Sequence, residues 1–128
     1  MKQFHAPVVA AAVMLAAAQA IAADALISER QLSVDAALEV AQTALAACRH
    51  HGSLVTITIL DRADRVVVSL RDNGASPHSV EHSLRKAHTA LTYNMPSREY
   101  GKNAAANPGS AGPLHLAHIT TAAGGLAK

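Results

Sequence analysis

Aromatic side chains, cysteine and net charge are all scarce in this sequence. Only 2% of its 128 residues are aromatic, tryptophan is absent, and Cys48 is the one cysteine. A lone cysteine excludes an internal disulfide, and we expect Cys48 to be a small buried side chain, with a reactive thiol as the alternative. The charged fraction of 16% and the net charge of +2 argue against a charge-rich disordered chain and against a basic nucleic-acid-binding surface. The length suffices for one small domain.

The first 22 residues have the pattern of a secretory signal peptide. Lys2 precedes an uncharged apolar run over Ala6–Ala18, and Ala20–Ala22 provides the small residues of a cleavage site. Such a run is too short for a strong transmembrane helix, although an uncleaved anchor is the alternative. We therefore expect residues 1–22 to be removed and residues 23–128 to form a single periplasmic or secreted domain, without stable membrane insertion.

Hydrophobic spacing and turn residues predict an α+β domain in which helices flank an antiparallel β-sheet. Ser33 can cap a helix, and Gly52 can end it. Two runs rich in β-branched residues follow, joined by the polar connection Asp61–Asp64. The predicted elements are a helix from the Ser33 cap to about His51, strands Leu54–Leu60 and Val66–Arg71, a helix Ser79–Asn94, and a short helix Ser97–Lys102.

Each of the two long helices carries one apolar stripe that we expect to face the core. From Asn103 onward the chain is rich in alanine, glycine and proline without periodicity, which predicts an irregular segment. The stripes are Val34, Leu38, Ala41, Leu45 and Cys48 on the first helix, and Val80, Leu84, Ala87 and Leu91 on the second.

Histidine is abundant, with eight in the chain. His78 and His82 are four residues apart at the start of the second long helix, so they share a face and can chelate a divalent metal ion. A chance pair on a solvated helix surface is the alternative. The other histidines of interest, which we expect to be exposed, are His50 and His51 at a helix end and His115 and His118 in the irregular segment. For His115 and His118, a reach across to a bound ligand is the alternative.

A second group of candidate ligands lies further along the same helix. Arg85 and Lys86 offer cations for an anionic group, His88 offers an imidazole, and Thr89 and Tyr93 offer hydroxyls. Structural roles for these side chains are the alternative to cofactor binding. No GxSxG, Walker or dinucleotide-binding motif is present in the sequence, so no catalytic residue is assigned.

Several segments occur together in the order typical of a known protein family. They are Leu32–Ala37, Val55–Asp61, Arg71–Ala75 and Arg85–Ala90, followed by Met95–Ser97, Gly112–Pro113 and Gly124–Gly125. In these segments the chain resembles the GlcG/HbpS family of small haem-binding proteins. The most specific of them contains the Lys-Ala-x-Thr-Ala motif that begins at Lys86.

The resemblance implies a sheet of about five antiparallel strands with helices around it, similar to profilin and PAS domains. It also implies homo-oligomers and a site for haem or a related tetrapyrrole that includes Lys86, His88 and Thr89. Members of the family usually continue past the position of Gly124–Gly125 with further strands and a final helix. We therefore expect a C-terminally short domain with fewer strands.

Three hypotheses follow for the function. The first is a secreted or periplasmic, non-catalytic protein that handles or senses haem, with aliphatic side chains lining the slot and with Arg85 and Lys86 near the propionates. The second is a module that binds a divalent metal or iron through His78 and His82. The third is a small enzyme that acts on glycolate or another organic acid, or one that degrades haem, for which the sequence shows no identifiable acid or base. Its non-enzymatic counterpart is an oligomeric accessory protein of organic-acid (glycolate) metabolism, or an oligomeric interaction protein without a small ligand.

Overall fold

The structure, a computed structural model, describes residues 27–107, 109 and 112–127. The predicted signal peptide lies outside the described residues. Within the described part, no helix is both long and apolar enough to cross a bilayer. The elements are α1 (Val34–His50), β1 (Thr56–Leu60), β2 (Val66–Arg71), α2 (Ser79–Tyr93) and α3 (Ser97–Ala106), followed by a 3₁₀ helix over Gly112–His115. The predicted α+β class is confirmed for these residues, which contain an antiparallel sheet of two strands.

The ends of α1 are closed by the two residues selected from the sequence. The Ser33 hydroxyl accepts a main-chain N–H of the first turn at 3.2 Å. At the other end, the Ser53 N–H donates to the Cys48 carbonyl and the Gly52 N–H donates to the Arg49 carbonyl, both at 2.9 Å. These two bonds form a Schellman motif, which requires the left-handed φ of +72° that Gly52 adopts.

The strands form an antiparallel hairpin whose turn is organised by Asp61. The Asp61 carboxylate accepts the N–H groups of Ala63 and Arg65 at 2.8 and 2.9 Å, as in an Asx turn. A β-bulge precedes Leu60, and Asp64 closes the turn with a φ of +62°. The turn thereby fixes the backbone from which the Asp64 side chain extends.

The two long helices pack on opposite faces of the hairpin. Ile57 and Ile59 of β1, with Val68 of β2, pack against Ala37 and Ala41 of α1. The alternate side chains of β1 point to the other face, where α2 lies. The hairpin is therefore the middle layer of a three-layer arrangement.

Hydroxyl groups join β1 to α2 on that second face. Thr56 is hydrogen-bonded to Ser79 at 2.7 Å, and Thr58 is hydrogen-bonded to Ser83 at 2.6 Å. These bonds satisfy polar side chains that would otherwise be costly between two packed elements. They also fix the position of α2 along the strand, and α2 carries most of the candidate ligands.

The apolar stripe predicted for α1 is only partly buried. Ala41 and Leu45 lie in the core as predicted, but Val34 and Leu38 are 63% and 36% exposed. The prediction was wrong for Val34 and Leu38 because Ala37 and Ala41 lie against the hairpin, which turns the neighbouring positions of the helix outward. Small side chains, rather than the largest ones, make the closest contact with the sheet.

The apolar stripe predicted for α2 is also only partly buried. Val80 and Leu91 are 43% and 38% exposed, so their assignment to the core was wrong. The fully buried residues of α2 are Thr89 and Ala90, because this side of the helix meets the C-terminal segment. Leu84, Ala87 and Cys48 are half-buried.

Candidate functional site

His88 lies in the second half of α2, and its ring is held by a carboxylate from the hairpin turn. Its Nδ1 is 2.5 Å from Oδ2 of Asp64, and its side chain is 21% exposed. At this distance the Asp64 carboxylate constrains the ring from its Nδ1 side, and Nε2 is the ring nitrogen that remains for a metal ion. The sequence analysis selected His88 but missed Asp64, whose only signal is its place in a polar turn.

A second imidazole, that of His118, lies beside the first. The ring centroids of His88 and His118 are 5.5 Å apart, and the rings are inclined by 63°. His118 follows the 3₁₀ helix and has a φ of +67°, which is uncommon for a residue other than glycine. The sequence analysis favoured an exposed residue in an irregular segment, with a reach to a bound ligand as the alternative. The structure brings that residue to α2.

The Thr89 hydroxyl, a predicted cofactor contact, is fully buried and engaged within the fold. It donates to the Arg85 carbonyl at 2.8 Å and accepts the Thr120 N–H at 2.9 Å. The second bond anchors the chain two residues after His118. Thr89 therefore holds the segment that carries the second imidazole.

Arg85 and Lys86 bring two cations to the same part of α2, and both are half-buried. Arg85 pairs with Glu81 at 2.7 Å, while its Nε is buried and has no hydrogen-bond partner among the described residues. The Lys86 stem runs beside Gly124, where an added Cβ would lie 3.2 Å from the lysine Cδ. Arg85 lies three residues before His88, so the two side chains share one side of the helix.

The predicted ligand Tyr93 stacks on Tyr100 of α3, with ring centroids 4.2 Å apart and an interplanar angle of 20°. Tyr100 is buried, and its hydroxyl has no hydrogen-bond partner in the described part of the chain. Burial, and next the neighbouring Tyr93 phenol, raise the pKa of Tyr100 to about 12. The stacked pair joins the ends of α2 and α3.

The histidines predicted to bind a metal, His78 and His82, lie at the exposed start of α2. The structure brings no described ligand to them: residues 27–107, 109 and 112–127 contain no group of three histidine, cysteine, aspartate or glutamate side chains placed to hold one metal ion. His50 and His51 contact each other edge to face at the end of α1, with ring centroids 5.4 Å apart. The histidines that meet across the fold are His88 and His118.

Comparison with known proteins places this chain in a family. Residues 32–127 match the family described as "Haem degrading protein HbpS-like". The chain belongs to the HbpS-like family. The resemblance found in the sequence is thereby confirmed, and the match includes both His88 and His118. No curated protein matches the chain.

Solved structures related to the HbpS-like family share the fold. The crystal structure of HbpS is 31% identical with a TM-score of 0.69, and the alignment covers 77% of this chain and 67% of HbpS. A double mutant of Streptomyces reticuli HbpS is 31% identical with a TM-score of 0.67, covering 75% of this chain and 64% of that one. Klebsiella pneumoniae protein ORFY, at 24% identity and a TM-score of 0.70, shows the fold alone, with coverage of 80% and 72%. This chain thus spans about two thirds of the HbpS structures.

Proposed function

We propose that this HbpS-like protein binds haem, with the His88 imidazole as the axial ligand of the iron. The observation that carries the proposal is the 2.5 Å contact between His88 Nδ1 and the Asp64 carboxylate. A carboxylate on one ring nitrogen fixes the ring and makes the other nitrogen a better ligand, as is usual for metal-binding histidines. Haem, when bound, would supply an iron centre whose redox state and ligation can change.

The residues around His88 suit a porphyrin. Leu84 and Leu91 lie one turn before and one turn after His88 on the same side of α2, and Leu91 is exposed. They offer aliphatic surface for the ring in a chain with few aromatic residues. Arg85, whose buried Nε lacks a partner among the described residues, and Lys86 supply positive charge for the propionates.

Thr89 and Tyr93 are proposed to shape the site rather than to ligate iron. The Thr89 hydroxyl already donates to Arg85 and accepts from Thr120, and the Tyr93 ring stacks on Tyr100. Their removal is expected to change haem binding indirectly, through the position of α2 relative to the C-terminal segment.

We further infer that the protein works in the periplasm or outside the cell, where it handles or senses haem without turning it over. The signal-like segment, residues 1–22, supports export. N-terminal sequencing of the exported protein tests the first part, and a start at residue 1 would overturn it.

A homo-oligomer is proposed as the form in solution. Val34 and Leu38 on α1 and Val80 on α2 are exposed in the single chain. Because α1 and α2 lie on opposite faces of the hairpin, further copies packed on these helices would remove the exposed aliphatic side chains from water. Sedimentation velocity of the haem-free protein is expected to show an oligomer that Val80→Glu weakens. A monomeric wild-type protein at micromolar concentration would overturn this part.

A hemin titration followed at the Soret band tests haem binding. We expect a saturable, shifted band at one hemin per chain, and we expect His88→Ala to remove the shift. Asp64→Asn should weaken binding about tenfold or more, because the ring loses its outer partner. His82→Ala is the matched control, since His82 is exposed on the same helix, and it should bind as the wild type does. A non-saturating response from folded protein, or an unchanged band in His88→Ala, would overturn the proposal.

Turnover is tested on the same complex. With ascorbate as reductant, the Soret band is expected to keep its intensity over hours, and a ferrozine assay is expected to detect no released iron. Loss of the band together with iron release would overturn the non-catalytic role while leaving haem binding in place.

A further inference from the structure

We infer that His88 and His118 together bind a divalent transition-metal ion, with Asp64 as the outer partner of His88. The ions concerned are Zn²⁺, Ni²⁺ and Cu²⁺, for which imidazole is a good ligand. The site adds His118 to the residues used above and needs no porphyrin. It also differs from the pair selected in the sequence, His78 and His82, which lies at the exposed start of α2.

The distance between the two rings fits two imidazoles on one ion. A histidine nitrogen lies about 2.0–2.1 Å from Zn²⁺, which places each ring centre about 3.2 Å from the metal. Two such rings at a tetrahedral angle have centres about 5 Å apart. The centroids of His88 and His118 are 5.5 Å apart, which is close to that separation.

Asp64 provides the outer carboxylate partner that metal-binding histidines usually have and that a chance pair of histidines lacks. Its Oδ2 lies 2.5 Å from Nδ1 of His88, so the ring is oriented before a metal arrives. The exposed pair His78 and His82 has no carboxylate contact of this kind within the described residues. Both pairs offer imidazole ligands, but in this part of the chain only the pair with His88 has a ring that a carboxylate orients.

The two loops that carry Asp64 and His118 are fixed by the surrounding structure. Asp64 and His118 have φ values of +62° and +67°, and residues in this region persist where neighbouring contacts hold them. The Asp61 carboxylate holds the hairpin turn. The bond from Thr120 to Thr89, together with the buried side chain of Ile119, holds the chain after His118. A preorganised pair loses less entropy on binding than a mobile one.

Water is expected to complete the coordination, because no third ligating side chain lies in reach among the described residues. His118 is exposed, so the ion can enter from solvent. This open site corresponds to zinc centres that keep positions for water, rather than to closed structural centres.

Zinc binding to haem-free, full-length protein tests the inference. We expect isothermal titration calorimetry with ZnCl₂ to show one site per chain. His118→Ala should weaken it at least about tenfold, and Asp64→Asn should weaken it about tenfold. The matched control is the double variant His78→Ala/His82→Ala, which removes the other histidine pair and should retain the site. Equal affinity in His118→Ala and the wild type, or loss of binding in the control, would overturn the inference.

A second readout identifies the ligands without relying on affinity. Substoichiometric Ni²⁺ is expected to broaden the imidazole proton signals of His88 and His118 before those of His78 and His82. Broadening confined to His78 and His82 would overturn the site.

A negative result in the hemin experiment is distinguishable from a negative result in the zinc experiment. His118→Ala should weaken zinc binding at least about tenfold and keep the hemin-shifted Soret band, because the haem proposal requires only His88. Zinc binding of wild-type affinity in His118→Ala overturns the metal site alone. A hemin titration without saturation overturns the haem proposal alone.

Discussion

Ser97 and Gly125 are joined by two reciprocal hydrogen bonds. The Gly125 N–H donates to the Ser97 hydroxyl at 2.8 Å, and the Ser97 N–H donates to the Gly125 carbonyl at 3.0 Å. The Ser97 hydroxyl in turn donates to the Ala122 carbonyl at 2.7 Å. One serine at the start of α3 thus holds the C-terminal segment. Because His118 belongs to the same segment, this contact bears on the candidate site.

Ser97→Ala is expected to destabilise the fold by about 1–3 kcal/mol, because it leaves the buried Gly125 N–H without its acceptor. Urea unfolding followed by circular dichroism measures the change. Ser53→Ala is the control, since its side chain is exposed, and it should change the stability little. Equal unfolding midpoints for the two variants would contradict the role given to Ser97.

Gly125→Ala is expected to lower the free energy of unfolding by about 1–3 kcal/mol or more, because the added Cβ would overlap the Lys86 carbonyl. The same segment approaches α3 closely, since a Cβ on Gly101 would lie 2.5 Å from the Thr121 oxygen. Gly109→Ala is the matched control because its Cβ would meet nothing within 4 Å. Thermal unfolding compares the two, and an unaffected Gly125→Ala protein would show that the segment is not docked in solution.

The helices and strands were predictable because their signals act over a few residues. Ser33 and Gly52 close α1 locally, and Pro96 separates α2 from α3. The predicted helix Ser97–Lys102 was too short, because α3 extends to Ala106, and this error also has a local cause. Ala104–Ala106 favour helix through intrinsic propensity, although three consecutive alanines show no hydrophobic periodicity by themselves. Reliance on periodicity alone ended that helix too early.

The candidate site was only partly predictable because its residues come from distant parts of the chain. His88 and Thr89 stand in one helical motif, and the sequence indicated both. Asp64 and His118 reach α2 only through the packing of the hairpin and of the C-terminal segment, which no local pattern encodes. The role of Thr89 depends on the same packing, since one of its partners is the main chain of Thr120.

Asp72→Asn is expected to make the stability of the fold less dependent on pH in the acidic range. Hydrogen bonds from Arg49, both at 2.8 Å, hold the pKa of the buried Asp72 carboxyl below its ordinary value, although burial opposes them. A lowered folded-state pKa stabilises the protein above the unfolded value of about 3.9. That stabilisation is lost as the pH falls through the lower folded-state pKa.

Urea midpoints measured from pH 7 down to pH 2 test this. The wild type should lose stability more steeply below about pH 4 than Asp72→Asn does. Glu39→Gln, an exposed carboxylate change on α1, is the control and should follow the wild type. Parallel curves for the wild type and Asp72→Asn would show that the pair with Arg49 does not couple to folding.

Tyr100 is expected to ionise well above the usual range of a phenol. Burial, followed by the neighbouring Tyr93, raises its pKa to about 12. The sequence has two tyrosines, so Tyr93→Phe leaves Tyr100 as the only phenol in an absorbance titration at 295 nm. Its midpoint should remain above 10 in the folded protein, because burial persists, and should return to about 10 in concentrated urea. Equal midpoints in the two conditions would contradict the buried position.

Tyr100→Phe is expected to leave the fold as stable as the wild type or more stable by about 1 kcal/mol, because the buried hydroxyl has no partner among the described residues. The raised pKa adds a pH dependence with a definite sign. The neutral phenol stabilises the fold below the unfolded value of about 10, and this contribution is lost as the pH rises toward 12. Urea midpoints should therefore fall less between pH 9 and pH 12 in Tyr100→Phe than in the wild type. Tyr93→Phe, which keeps Tyr100, is the matched control, and a large loss of stability in Tyr100→Phe at pH 7 would reveal a partner for the hydroxyl.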